Sequence, residues 1–510
     1  MAGQQRRGKK RPRTSTGPAD TPGASSTHWL RWSAWIPWIC VAAFAPAMLH
    51  NLAGWISMLS YPGEANFGEG VLLYEGWRVA HGKSLYLDPA QPPFWMATYP
   101  PLYQLLSALA GGSSFLWPRL VSLIAGCVSA ASLALVVRRL GQSWAIAVLA
   151  MLLWFNSLFI DIWCALARVD MTGRAFCSAA VAIAICVRRD RIAMAAALVC
   201  CVLAMLVKQN MIAGGLTCTV IFGIRQRRLG IIFLTLWLAV TAAAYLGLNV
   251  ATKGWFWKDI FQLTSRELSF STMRGWVGAF LETHALYLVS AAAGILTLVS
   301  AGRKELWILL TAMAAGIPNA LLSGNDGADR NYFFDLIWPL CALAAVGAGT
   351  VLSAKATARI AGSFAVLALL ANAVLLMRGP TEYASREQAH SAEAIIAKLK
   401  QVPHPVLCEL TGFTLLAGSD VEYLPYMLRK LEADGRWNPA PVVRRLNQKQ
   451  YGGILLTHHA SQRFGAEIMQ AIQANYDVAE VFENQFLAEG GGKFVLLKPT
   501  SIRHTELITN

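Results

Sequence analysis

Carboxylates gather where the chain leaves its first long apolar stretch: Gly63-Glu64-Ala65-Asn66-Phe67-Gly68-Glu69-Gly70 follows that stretch and precedes Tyr99-Pro100-Pro101-Leu102-Tyr103. Acids placed against a bilayer surface are costly and rarely accidental. Desolvation there favours the protonated form, so such a group can be tuned toward the pKa a general base needs. The segment reads as the catalytic loop of a membrane enzyme. Three further polar groups fall at the same predicted face: Arg168/Asp170, Lys208/Gln209/Asn210, and Asp326/Asp329/Arg330/Asn331/Tyr332/Asp335. Their convergence says more than any one of them.

The elements that must carry these residues are membrane helices. With 55% hydrophobic and 14% charged residues over 510 positions, the chain exceeds what a soluble core requires. About eleven segments are apolar and long enough to cross or deeply enter a hydrocarbon layer of roughly 30 Å. They lie near 34–56, 117–137, 144–162, 171–187, 192–207, 211–224, 231–250, 284–301, 306–322, 336–353 and 359–377. The fold class expected is mainly α, a polytopic helical bundle followed by a small C-terminal α/β domain.

Basic residues set the orientation, because Lys and Arg concentrate in loops that stay cytoplasmic. Arg138/Arg139, Arg188/Arg189/Arg191, Arg225/Arg227/Arg228, Arg303/Lys304 and Lys355/Arg359 occupy alternate connections, and the N-terminal tail is basic as well. The net charge of +15 is thus a topology signal, and no nucleic-acid partner is implied. Residues 1–31 are expected to form a disordered cytoplasmic tail. Residues 32–378 form the transmembrane domain with its first outer loop at 57–116, and an odd number of spans puts 379–510 outside.

In that last region Pro405-Val406-Leu407-Cys408, Gly453-Ile454-Leu455-Leu456-Thr457 and Phe494-Val495-Leu496-Leu497 read as short strands, with helices over 422–433 and 462–474. In the first outer loop 69–80 reads as a short helix lying on the membrane. Trp255-Phe256-Trp257 forms an aromatic cluster suited to the interface. Nine of the ten cysteines lie in or beside apolar spans, so no disulfide framework or metal cluster is built from them. His458 and His459 are adjacent on a strand and point to opposite faces, which argues against a shared metal.

An ordered set of short motifs carries a resemblance: Gly68-Glu69-Gly70, Gly82-Lys83-Ser84-Leu85-Tyr86, Tyr99-Pro100-Pro101-Leu102, Ala167-Arg168-Val169-Asp170, Lys208-Gln209 and Asn331-Tyr332-Phe333. Over residues 34 to 377 the chain resembles the GT-C membrane glycosyltransferases, in particular bacterial relatives of the protein O-mannosyltransferases and the lipid A aminoarabinose transferase. The resemblance implies a polyprenyl-phosphate-linked sugar as donor, bound from within the bilayer. A lipid, glycan or protein acceptor would approach from the outer side.

Such a transfer requires a base for the acceptor hydroxyl and positive groups for the departing phosphate. On this reading Glu69 is the base, with Glu64 as alternate or partner. Lys208, Arg168 and Arg330 meet the donor phosphate, and Asp170, Gln209, Asn331, Tyr332 and Tyr99 line the substrate. Asp170 could orient Lys208 or a sugar hydroxyl. Tyr99-Pro100-Pro101 stiffens the exit from the loop. No cofactor is implied, and Asp326 and Asp329 are too few for a metal site by themselves, although a divalent cation is left open.

The expected setting is a bacterial plasma membrane, with the N-terminus cytoplasmic and membrane lipids around the bundle. The alternative function is a polytopic transporter or lipid flippase for a cell-envelope precursor. A transporter would hold its charges near mid-membrane, and no inverted repeat is visible. A non-catalytic assembly protein whose outer domain binds a partner is the third reading.

Overall fold

The computed structural model describes residues 35–264, 267–300, 305–353, 355–379, 381, 383–484 and 492–500. The expected N-terminal tail lies outside them. Eight helices among the described residues are long and apolar enough to cross a membrane. They include α1 (Ile36–Ser60), α4 (Leu116–Arg139), α6 (Val169–Cys186), α7 (Asp190–Val207), α9 (Arg227–Ala251) and α14 (Ala356–Arg378). Between the first two, α2 (Glu69–Ala80) and α3 (Leu102–Ala108) form the first loop. Two shorter apolar helices, α5 (Trp144–Phe155) and α8 (Ala213–Arg225), do not reach across a bilayer alone. After α9, α10 (Phe270–Thr283) and α11 (Ala285–Ser300) meet at a bend of 71°. Each hydropathy segment falls on one of these helices, on α12 (Glu305–Leu321), or on α13 (Phe334–Gly349).

Three sequence expectations change. The segment expected as one span over 144–162 stops at Phe155, where Asn156 turns its side-chain amide back to the Leu152 carbonyl, and an irregular stretch leads to Arg168. Helix α2 has the bounds expected, but its apolar residues are packed inside the protein. Val71, Leu72, Leu73, Tyr74 and Glu75 are all buried, because the C-terminal domain covers the face that would otherwise meet lipid or water. In the aromatic cluster, Phe256 is fully buried between Tyr86 and Tyr245, with ring centroids at 5.2 and 5.3 Å, and only Trp257 of the pair beside it is strongly exposed.

The C-terminal domain opens with α15 (Arg386–Leu399), whose start carries a Ser385/Gln388 capping box. Its sheet has four strands, β1 (Val406–Cys408), β2 (Gly453–Leu456), β3 (Tyr476–Asn484) and β4 (Gly492–Pro499), in the order β1-β2-β4-β3. β1 and β2 are parallel and the other pairings antiparallel. The strand β3 lies outside the strands read from the sequence: its acids Asp477, Glu480 and Glu483 stand three residues apart, so the two-residue period that marks a strand is missing, and it runs along the sheet edge with a bulge between Val478 and Glu480. Helices α16 (Thr411–Leu416), α17 (Met427–Ala433), α18 (Ala440–Asn447) and α19 (Ala466–Asn475) complete the layer. One apolar cluster runs without a break from Phe44 and Trp154 in the bundle to Ile395, Phe413 and Leu496 in the domain.

Candidate active site

The first loop is anchored by an ion pair. Glu69 opens α2 and its carboxylate is wholly buried; Arg119, near the start of α4, donates from Nε to Oε1 at 2.9 Å and from Nη2 to Oε2 at 2.8 Å. The same guanidinium donates to the carbonyls of Met58, Tyr61 and Gly63. The amides of Ala65 and Ala167 donate to the other side of the carboxylate at 2.8 and 2.6 Å. Burial alone would raise the Glu69 carboxyl, yet the Arg119 guanidinium and these amides hold it below the usual range. Two charges satisfied this fully join loop, α4 and the approach to α6.

Glu64 is buried too. It accepts from Gly68 N at 3.0 Å and, across to the C-terminal domain, from Gly412 N at 2.9 Å. Burial pushes its carboxyl up to about 7, against the pull of those amides. Gly70 is required by this approach, since a Cβ there would collide with the Glu64 carboxylate and the Gly412 amide.

A cavity of about 340 Å³ lies where the bundle meets the domain. Its floor is built by Tyr99, Arg168, Asn331 and Tyr332; Asn66, Phe67 and Gly68 form one wall and Asp326 and Asp329 another. Beneath the floor sits a second ion pair. Lys208 ends α7 in an extended conformation, and its Nζ reaches Asp170 Oδ1, in the first turn of α6, at 2.7 Å. Asn331 Nδ2 donates to the same oxygen at 2.7 Å, so both hydrogen bonds given to Asp170 fall on Oδ1. The ammonium lies 4.7 Å from the Tyr332 ring centroid and 5.8 Å from that of Tyr99.

Hydrogen-bonding capacity around this floor is unspent. Arg168 donates one bond, Nη1 to the Phe67 carbonyl at 3.1 Å, while its Nε has no partner among the described residues. The same holds for Asn331 Oδ1 and for Gln209 Oε1, whose amide makes only a long contact to the Thr98 carbonyl. Buried polar atoms without partners are uncommon, and several around one cavity suit a polar ligand. Among the described residues no cluster of three or more His, Cys, Asp or Glu side chains could hold a metal ion.

The structure thus brings together Arg168, Asp170, Lys208, Gln209, Asn331, Tyr332 and Tyr99. It does not bring Glu69, Glu64 or Arg330 to them. Both glutamates, on which the sequence reading put the base, lie behind the loop that forms the cavity wall, buried and with their oxygens engaged by the protein. Arg330 turns away, donating to the Leu158 carbonyl at 2.9 Å, because Asp329 caps the short helical turn that carries it. Arg119 was missed, although a lone arginine inside the apolar segment 117–137 is the signal that would have flagged it. Tyr426 and Arg463, which reach the cavity from the C-terminal domain, carry no such mark.

No family model and no curated protein matches this sequence. Solved structures do. The crystal structure of ArnT from Cupriavidus metallidurans in the apo state aligns at a TM-score of 0.60, with 12% identity over 93% of this chain and 98% of that one. The same protein bound to undecaprenyl phosphate aligns at 0.57, with 14% identity over 90% and 98%. The oligosaccharyltransferase of Archaeoglobus fulgidus in the apo form aligns at 0.50, with 11% identity over 87% and 73%. At these identities the likeness concerns the fold, bundle and C-terminal domain together.

Proposed function

From the GT-C fold as premise, we propose that this protein is a glycosyltransferase of the bacterial plasma membrane. It moves a sugar from a polyprenyl-phosphate donor to a hydroxyl acceptor at the outer face, the face on which the cavity and the C-terminal domain would lie. The observation that carries the reading is the floor of the cavity: Arg168, two tyrosines and an amide with unspent capacity line one space, and the Lys208 ammonium lies behind the two tyrosine rings. A relative of the same fold is known with undecaprenyl phosphate bound.

The donor phosphate sits against Arg168, whose planar fork suits phosphate oxygens, and above Lys208, a point charge. When the bond from the anomeric carbon to the phosphate oxygen breaks, negative charge grows on the leaving phosphate. Lys208 and Arg168 stabilise it there. As Lys208 is drawn to the phosphate, Asp170 loses part of its counter-charge and becomes a better acceptor for the proton of the attacking hydroxyl. Asp170 thereby takes the base role in place of Glu69, since its Oδ2 receives no hydrogen bond among the described residues while every Glu69 oxygen is engaged. The new bond joins the acceptor oxygen to the anomeric carbon, and polyprenyl phosphate leaves.

The test is to incubate purified protein with a panel of polyprenyl-phosphate sugars and measure release of the lipid phosphate. Asp170→Asn and Lys208→Met should each lower turnover by roughly 10²- to 10⁴-fold while the protein still inserts. Release from no donor in the panel overturns the transferase reading, and normal turnover by Asp170→Asn removes the base.

A further inference from the structure

One turn farther along α6 than Asp170 stands Arg174, on the same face of that helix, since residues four apart are neighbours there. Its Nη1 donates to Asp335 Oδ1, and Asn319 Nδ2 donates to Asp335 Oδ2. Asp335 lies in the first turn of α13 and Asn319 near the end of α12, so one carboxylate ties three helices together. All three side chains are buried, and each belongs to a stretch long and apolar enough to cross a membrane. The layer is braced on both sides. Gly316 of α12 has no room for a Cβ, because the Asp335 backbone lies against it. The Arg174 guanidinium carbon lies 5.1 Å from the centroid of Trp338, whose indole donates to the Ser129 carbonyl of α4 at 3.0 Å.

Charges inside an apolar bundle are costly, and a buried ion pair adds little net stability over apolar side chains of the same volume. Two atoms of this layer, Arg174 Nε and Asn319 Oδ1, have no partner among the described residues, which adds to the cost. What the pair does supply is register, since hydrogen bonds between charged groups hold only over a narrow range of positions. Asn331 precedes Asp335 by four residues, as Asp170 precedes Arg174. The same two segments are therefore joined twice: Asn331 Nδ2 to Asp170 Oδ1 at 2.7 Å beneath the cavity floor, and Arg174 to Asp335 one turn deeper. Sliding α6 against the start of α13 would take Asn331 off Oδ1 or bring it and Lys208 onto both oxygens. The deeper tie opposes that movement.

We propose that Arg174, Asp335 and Asn319 are positioning residues for the transfer. They hold α6, α12 and α13 in the register at which Lys208 and Asn331 share Oδ1 of Asp170 and leave Oδ2 to the acceptor hydroxyl. This rests on the transferase reading with Asp170 as its base.

The test measures turnover and unfolding temperature of the full-length protein in detergent, with a polyprenyl-phosphate sugar that it cleaves. Arg174→Met/Asp335→Asn removes both charges at once and leaves Asn319 an acceptor, so it should unfold within a few degrees of the native protein. Its kcat should fall roughly 10- to 100-fold with the donor KM unchanged, as a misplaced reacting group requires. In an Asn331→Ala background, where the bond to Asp170 is already gone, the same pair of changes should cost less than about threefold more, because the two act through one contact. Native kcat in the stable double variant overturns the proposal. So does a loss in the Asn331→Ala background as large as in the native one, which would mark the layer as acting elsewhere. Should the double variant fail to fold, Asn319→Leu is put through the same cycle, with a smaller loss of kcat expected and the same two outcomes against it. A native protein that cleaves no donor overturns the transferase reading itself, and the positioning role with it.

Discussion

At the scale of single residues, two of the buried ion pairs have separate tasks. Glu69–Arg119 spends every donor and acceptor on the protein, while Lys208–Asp170 lies beneath the cavity floor against the rings of Tyr332 and Tyr99. Removing one partner of a saturated buried pair strands the other, so Arg119→Met should lose about 3–5 kcal/mol of stability, measured by chemical unfolding in detergent. Glu69→Gln should be destabilised too, yet keep its turnover per folded molecule. Loss of transfer from a fully folded Glu69→Gln protein would return that residue to the chemistry. Glu75 makes a pH-dependent contribution. It is fully buried in α2, accepts from Gln104 Nε2 at 2.8 Å, and leaves Oε1 and Gln104 Oε1 without partners among the described residues. Burial lifts its pKa to about 8 from an ordinary 4.5, against the pull of Gln104 and Arg78. A raised folded pKa stabilises fully below the unfolded value, and that share is lost as pH rises through about 8. The unfolding temperature of the native protein should therefore fall between pH 5 and 9, and less steeply in Glu75→Gln. Asp259, also lifted by burial to about 8, leaves a residual slope.

Elements carry the next constraint. Helix α2 begins at Glu69 because Gly68, at φ 98°, turns the chain in a left-handed conformation that only glycine takes easily. A Cβ at Gly68 would also strike the Arg168 guanidinium. Gly68→Ala should thus displace Arg168 from the floor and cut transfer by about 100-fold, the scale of an ångström's misplacement at a reacting centre. An unfolding temperature within a few degrees of the native protein, with turnover lost, would mark this as positioning; undiminished turnover would show that Arg168 is not where the phosphate binds. The hairpin of α7 and α8 follows the same logic. Lys208 interrupts two short apolar runs, and the turn it makes delivers its ammonium to the N-terminal end of α6, where Asp170 waits.

For the whole molecule, the bundle and the C-terminal domain share one core and one cavity. Deleting residues 380–510 would bare the buried face of α2, leave Glu64 without the Gly412 amide and remove the side of the cavity that the C-terminal domain supplies. The shortened chain should express poorly and aggregate in detergent. A stable, monodisperse truncation that still cleaves donor would show that the two parts are separable.

The sequence by itself determined the class of protein, the position of nearly every apolar helix, three of the four strands and most of the residues on the cavity floor. Hydrophobic length, basic turns and polar breaks in apolar runs are local properties, and each element's pattern can be read without its neighbours. Tertiary structure alone decided which acids face the cavity and which are locked in the protein. The loop glutamates look alike in a linear reading, and only the distant Arg119, Ala167 and Gly412 consume their lone pairs. The C-terminal domain's share of the cavity lining was likewise invisible, because Tyr426 and Arg463 become neighbours of Phe67 through a fold that brings together residues hundreds of positions apart.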